Sequence, residues 1–164
     1  MPVIAYIGVG SNLGSPRENC EQAIEYLHSH SDIELISRSS FYETEPIGVK
    51  NQDWFINAAV KTRTLLKPVK LLDTLLAIER KMGRQRREKW GPRIIDLDLL
   101  FYGDLILKKE NLQLPHPEIA SRKFVLEPMR EIAGDHRHPV LNKTISELLN
   151  ELSLEQKVQR IPGS

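Results

Sequence analysis

The chain has 164 residues, and its 23 lysines and arginines nearly balance 22 aspartates and glutamates, for a net charge of +1. That length suits one compact domain with its own core, and the near-neutral balance argues against a protein that coats nucleic acid, although local basic patches stay open. A single cysteine, Cys20, excludes an intramolecular disulfide, and no apolar run reaches the roughly 18 residues of a membrane span.

The opening stretch MPVIAYIGVG has no basic segment before its short apolar run, so residues 3–9 read as a buried strand and not as a signal peptide. With Cys20 as a small core residue, a reduced, cytoplasmic setting is expected. The stretch GVGSNLG carries Gly8, Gly10 and Gly14, but Leu13 stands where a G-x-G-x-x-G fingerprint needs its third glycine, and there is no G-K-[ST]. It reads as a tight strand-to-helix turn. Ser15-Pro16-Arg17-Glu18 has the form of a capping box with proline at the first helical position. It predicts a helix to about residue 30, with Ala23, Ile24 and Leu27 on its apolar face.

Residues 33–42 and 54–64 read as strands, joined by a polar loop holding Pro46 and Gly48. In the second strand Trp54 and Ile56 share the face that core packing explains. Phe55 and Asn57 share the other, a ring beside an amide, which suits a flat polar heterocycle. Pro68 opens a second helix with Leu72, Leu75, Leu76 and Met82 at helical spacing, and Gly83 suits its end. A charged loop over 85–92 precedes a strand over 94–102, and residues 105–107 and 112–114 could form a small hairpin. Residues 123–133 and 144–152 read as helices, the latter opened by a capping box from Thr144 to Glu147. His136 and His138 have no cysteine or third histidine at ligand spacing and read as surface; the tail RIPGS reads as frayed. The order β-α-β-β-α-β with a helical C-terminal third is the split βαβ, ferredoxin-like pattern. It predicts an α/β fold with a mainly antiparallel sheet, in one domain over 1–164.

The stretch KWGPRIIDLDLLFYG places Asp96 and Asp98 within a strand, where aspartate is disfavoured. Period two puts both carboxylates on one face, about 6.5–7 Å apart along the chain, with Leu97 and Leu99 on the other. Such a pair suits Mg²⁺, which takes one or two carboxylates, waters and substrate phosphates, and could bridge two ions around a transferring phosphoryl group. A D-x-D alone is equally compatible with capping a solvated face or pairing with arginine. Arg84, Arg86, Arg87, Lys89 and Arg93 flank it, and guanidiniums fit phosphate bidentately, which favours a metal–polyphosphate site. His116, between two prolines in LPHPE, is a surface histidine by default, with a phosphate contact open.

The stretch WGPRIIDLDLLFYG closely resembles the signature of the 6-hydroxymethyl-7,8-dihydropterin pyrophosphokinase family. The resemblance runs in order through YIGVGSNLG, SSFYETEPIG, FINAAV, IERKMGR, LPHP and RKFVLEPMREIA. It implies transfer of pyrophosphate from ATP to the pterin's hydroxymethyl group, with release of AMP, in folate biosynthesis. By motif, Asp96 and Asp98 would hold two Mg²⁺ ions, Arg84 and Arg93 would engage the phosphates, and Glu79, Arg86, Trp90, His116 and Arg122 would lie on the ATP side. Thr44, Ile47, Phe55, Asn57 and Phe124 would form the pterin side, with Phe55 and Phe124 stacking on the two ring faces. Glu118 stands where many members carry arginine, Asn111 and Gln113 replace residues that bind nucleotide in some members, and Asn142 replaces a frequent glycine. These departures bear on nucleotide affinity and not on the chemistry. The resemblance implies a monofunctional enzyme, expected as a monomer, with ATP and the pterin as small-molecule partners and no nucleic acid or membrane.

Two rivals differ in class. A glycosyltransferase also pairs D-x-D with a divalent metal and a nucleotide, but this chain is short for one. A ferredoxin-like RNA-binding module would need exposed sheet aromatics in a run such as K/R-G-F/Y-G/A-F-V, which is absent.

Overall fold

A computed structural model describes residues 1–45, 53–83, 94–152 and 157–164. Strand β1 (Val3–Ser11) leads into helix α1 (Pro16–Ser29), followed by β2 (Ile33–Arg38), β3 (Tyr42–Thr44) and β4 (Phe55–Thr64). Helix α2 (Pro68–Lys81) precedes β5 (Asp96–Tyr102), then a hairpin of β6 (Leu107–Lys109) and β7 (Leu112–Leu114). A 3₁₀ turn (Ile119–Ser121), α3 (Lys123–Ala133), α4 (Ile145–Glu151) and β8 (Val158–Arg160) complete the described chain.

The main sheet has six strands in the order β5-β1-β4-β3-β8, with β2 also on β4 and antiparallel pairing throughout. This is the ferredoxin-like arrangement that the element order predicts. One face carries Ala5, Ile7, Val9, Ala58, Val60, Leu97 and Leu99, packed on Cys20, Ala23, Ile24 and Leu27 of α1 and on Leu71, Leu75 and Ile78 of α2. The other face buries Tyr6, Ala59, Leu100 and Phe101 under α3 and α4 through Val125, Leu126, Met129, Ile145, Leu148 and Leu149. Burying aliphatic groups at about 25 cal/mol per Å² is the main force holding these layers.

Several local expectations change. Pro16 occupies the first turn of α1, but the Ser15 side chain makes no cap hydrogen bond, so that capping box does not form. The Thr144 box does form, with reciprocal bonds to Glu147. The fully buried stripe of α2 runs through Leu71, Leu75, Ile78 and Glu79; of the expected line, Leu75 is in the core and Leu72 and Met82 pack half-buried against it. Gly8 and Gly10 lie within β1 and not in a turn; only Gly14, at φ +72°, sits at the strand-to-helix junction. The expected strand 33–42 is broken between β2 and β3. Trp54 is 39% exposed and so is not a core residue, whereas His138 is only 7% exposed, not a surface group. Asn142 takes φ +56°, a left-handed conformation that asparagine tolerates in place of glycine. The tail is ordered by pairing: Ile161 N–H donates to Phe41 O at 2.8 Å, and Ser164 Oγ accepts from Phe41 N–H at 2.9 Å. No described helix is long and apolar enough to cross a membrane.

Candidate active site

Strand register assembles the site. Gly10 of β1 pairs with Asp96 of β5 on one side and with Asn57 of β4 on the other, and Gly8 likewise stands between Asp98 and Ala59. Directly paired residues point to the same face, so two carboxylates and one amide share a sheet surface across two glycines of β1. The expected split of β5 holds: Asp96 and Asp98 are half-buried on this face, while Leu97 and Leu99 are buried on the other. Leucine on one face and glycine opposite each carboxylate explain how two aspartates fit inside a strand.

The glycine at position 10 is required by close approach. A Cβ there would lie 2.7 Å from Asn57 Oδ1. The amide's Nδ2 donates to Thr44 Oγ1 at 2.9 Å, and both residues are buried. Phe55, two residues before Asn57, is half-buried on the same face and pairs with Thr44 in register. Thr44, Phe55 and Asn57 therefore come together as expected.

Glu79 reaches the site from behind. Its buried carboxylate accepts from Leu97 N–H at 2.7 Å, between the two aspartates. Sequence reasoning put Glu79 beside a nucleotide; in the structure this bond fixes it to the backbone of β5. His116 N–H donates to Leu100 O at 2.9 Å, and His116 Nδ1 accepts from Glu118 N–H at 3.2 Å. Burial, with help from the Arg122 charge and against that of Glu118, holds the imidazole below its ordinary pKa. Arg122 forms an ion pair with Glu118 and lies 5.5 Å from the centre of the half-buried Phe124 ring, at the start of α3. Ile47, Arg84, Arg86, Trp90 and Arg93, and the loop 85–92, lie outside the described residues.

Among the described residues, no three histidine, cysteine, aspartate or glutamate side chains gather as a metal cage. A two-carboxylate set fits Mg²⁺, which keeps waters and takes phosphate oxygens. Sequence reasoning missed Gly8 and Gly10 as the floor between carboxylates and amide; the signal available was glycine at every second position of an apolar strand.

Comparison with known proteins gives the same picture. The fold matches a crystal structure of the Plasmodium falciparum HPPK-DHPS protein with pteroate, with a TM-score of 0.74 at 17% identity, over 92% of this chain and 42% of that one. The family model for 7,8-dihydro-6-hydroxymethylpterin-pyrophosphokinase (HPPK) matches residues 6–134. A 2-amino-4-hydroxy-6-hydroxymethyldihydropteridine pyrophosphokinase from Haemophilus influenzae is 39% identical over 98% of this chain and 99% of its own. Proteins of the same name from Synechocystis (45% identical, 97% of this chain and 81% of that one) and Bacillus subtilis (43%, 79% and 77%) are also similar. The class is thus an ATP-using pyrophosphokinase, a transferase, on a ferredoxin-like α/β sheet. The chain belongs to the 7,8-dihydro-6-hydroxymethylpterin-pyrophosphokinase family.

Proposed function

We propose that the chain transfers the pyrophosphoryl group of ATP to the hydroxymethyl oxygen of 6-hydroxymethyl-7,8-dihydropterin, releasing AMP, as a step of folate biosynthesis. The observation that carries this reading is the row Asp96–Gly10–Asn57 across three strands. It sets metal-type ligands beside an amide suited to a heterocycle's edge, with nothing taller than glycine between them.

In this reading Asp96 and Asp98 hold Mg²⁺, two ions being expected, which when bound neutralises phosphate charge and draws neighbouring phosphates together. Arg84 and Arg93 engage the phosphates, and Glu79, Arg86, Trp90, His116 and Arg122 serve the ATP side. Phe55 and Phe124 cover the pterin's two faces while Ile47, Thr44 and Asn57 complete its pocket. The Asn57 amide keeps its Oδ1 for the ligand because Nδ2 is engaged by Thr44. Phosphoryl-type transfer needs positioning and charge neutralisation more than covalent help, so the reading calls for no dedicated general base. A monomeric working unit in the cytoplasm is expected.

The test is incubation with ATP, Mg²⁺ and 6-hydroxymethyl-7,8-dihydropterin, with AMP followed by chromatography. AMP formed in proportion to pterin supports the reading. ATP turnover indifferent to pterin, or release of ADP instead, rejects it.

A further inference from the structure

The break between β2 and β3 decides which side chains face the site. Arg38 pairs with Val60 and Tyr42 with Asn57, so the β2–β3 segment advances four positions while β4 advances three. One residue is therefore extra, a bulge of the kind that re-aims side chains next to functional sites. Because side chains alternate, a one-residue slip exchanges the faces. Without the bulge, Phe41 would oppose Asn57, and Thr44 would point to the side covered by α1 and α2.

Identifiable groups hold the extra residue. Ser39 N–H donates to Ala59 O, and Ser39 Oγ accepts from Ala59 N–H, both at 2.9 Å, so a side chain replaces a ladder carbonyl. Ser40 then turns away from β4. Its N–H and Oγ–H donate to Glu131 Oε2 at 2.9 and 3.1 Å, and Tyr42 Oη donates to Glu131 Oε1 at 2.7 Å. Arg160 Nε donates to Ser40 Oγ at 3.0 Å. Burial works against the Glu131 carboxylate, but hydrogen bonds from Tyr42 and Ser40, with the Arg160 charge, outweigh it and hold its pKa below the ordinary value. Phe41, buried in the α1–α2 core, anchors the same register independently. Loss of Glu131 therefore loosens Ser40–Thr44 without refolding the sheet.

We propose that Glu131 is a positioning residue for the pterin side: from α3 it fixes the bulge at Ser40 and the Tyr42 side chain, and so holds Thr44 where it orients the Asn57 amide. This rests on the reading of Thr44 and Asn57 as pterin-side residues. Glu131→Leu removes all three hydrogen bonds. Glu131→Gln keeps the shape and an acceptor for Ser40, and its NH₂ can donate to Tyr42 Oη. Tyr42→Phe removes one bond and keeps the ring, which preserves the test if Glu131→Leu does not fold.

Pterin affinity is measured by titration calorimetry with saturating non-hydrolysable ATP analogue, and analogue affinity is measured by itself. Glu131→Leu should weaken pterin binding about tenfold and Tyr42→Phe about threefold, less than the full cost of the charge-assisted bonds lost, because those bonds reach the pterin only through Thr44 and Asn57. Glu131→Gln should stay within about threefold of wild type, and analogue affinity should be unchanged in all three. Wild-type pterin affinity in Glu131→Leu or, if that variant does not fold, in Tyr42→Phe, or an equal loss for both ligands, overturns the proposal. Failure of the wild-type protein to bind pterin at all overturns instead the function on which it rests.

Discussion

Asn57 and Asp96 face each other across Gly10, in one lateral row of the sheet. The amide oxygen leans over the glycine so closely that a methyl group there would meet it at 2.7 Å. We therefore predict that Gly10→Ala displaces the amide from Thr44 and mimics Asn57→Ala. Leaving ligand polar atoms unpaired costs about 1–3 kcal/mol, or about 5- to 150-fold in pterin affinity. Binding of an ATP analogue should change little. Calorimetry on both variants checks this, and equal damage to analogue binding would show that this face is not the pterin side.

The aspartate pair gives a second prediction. Asp96→Asn and Asp98→Asn preserve shape, and neither residue belongs to an apolar cluster. Each should lower AMP release by at least about a hundredfold, the scale for losing one electrostatic element of a transfer site, with little change in Tm. Melting and turnover are measured on the same samples. Wild-type turnover in either variant removes the metal-ligand assignment.

Glu118 and Arg122 predict a gain. The ion pair makes the Glu118 carboxylate a rival for any phosphate that approaches the guanidinium. The Arg122 side chain is only 19% exposed and that of Glu118 41%, and removing the negative charge removes repulsion of the incoming phosphate. Glu118→Gln should therefore lower KM for ATP about two- to fivefold with kcat unchanged. A raised KM would mean that Glu118 organises Arg122 for binding instead of competing with substrate.

Stability should fall as the solution becomes mildly acidic. Burial lowers the pKa of His138, and the neighbouring His136 reinforces it. Burial also lowers His136, with Lys61 helping and Asp104 opposing. Protonation of His138 would also expel two donors, since Nδ1 accepts from Val140 and Leu141 N–H at 3.2 and 3.1 Å. Folded values below the ordinary value of about 6.5 mean that the unfolded chain binds protons first. Stability is thus complete above that pH and declines as pH falls through it towards the folded values. Among the described residues, His136 Nε2 is buried without a hydrogen-bond partner, so His136→Phe should fold and flatten this dependence. A Tm profile of unchanged slope in that variant would exclude His136 as a contributor.

Much of the fold was legible because local chemistry and tertiary need agreed. Pro16 and Pro68 mark helix starts, the Thr144 box caps its helix, and the alternation in IDLDLL places both aspartates on one face. What was illegible depended on partners far away in sequence. Ser40 leaves the ladder for Glu131, and nothing near Ser40 announces that carboxylate. His138 is buried because its ring packs against Phe101, and the face of α2 is set by Glu79 reaching Leu97 N–H. Within the site, the carboxylates and the Phe55–Asn57 face were readable from period two. The glycine floor was not, because its meaning appears only when three strands are laid side by side.

The pairing of β8 with β3 has a consequence for synthesis. The strand that carries Thr44 is covered along its outer edge by Val158–Arg160, and Glu45 N–H donates to Lys157 O at 3.1 Å. A nascent chain can form β1 to β5 while these residues are still inside the ribosome, leaving β3 with an open edge able to pair with another chain. Such distant pairing carries a large loop-closure cost and forms late. The wall of the site next to β3 is therefore finished only after β8 has emerged. Until then its neighbours in the polysome are competitors for the same edge.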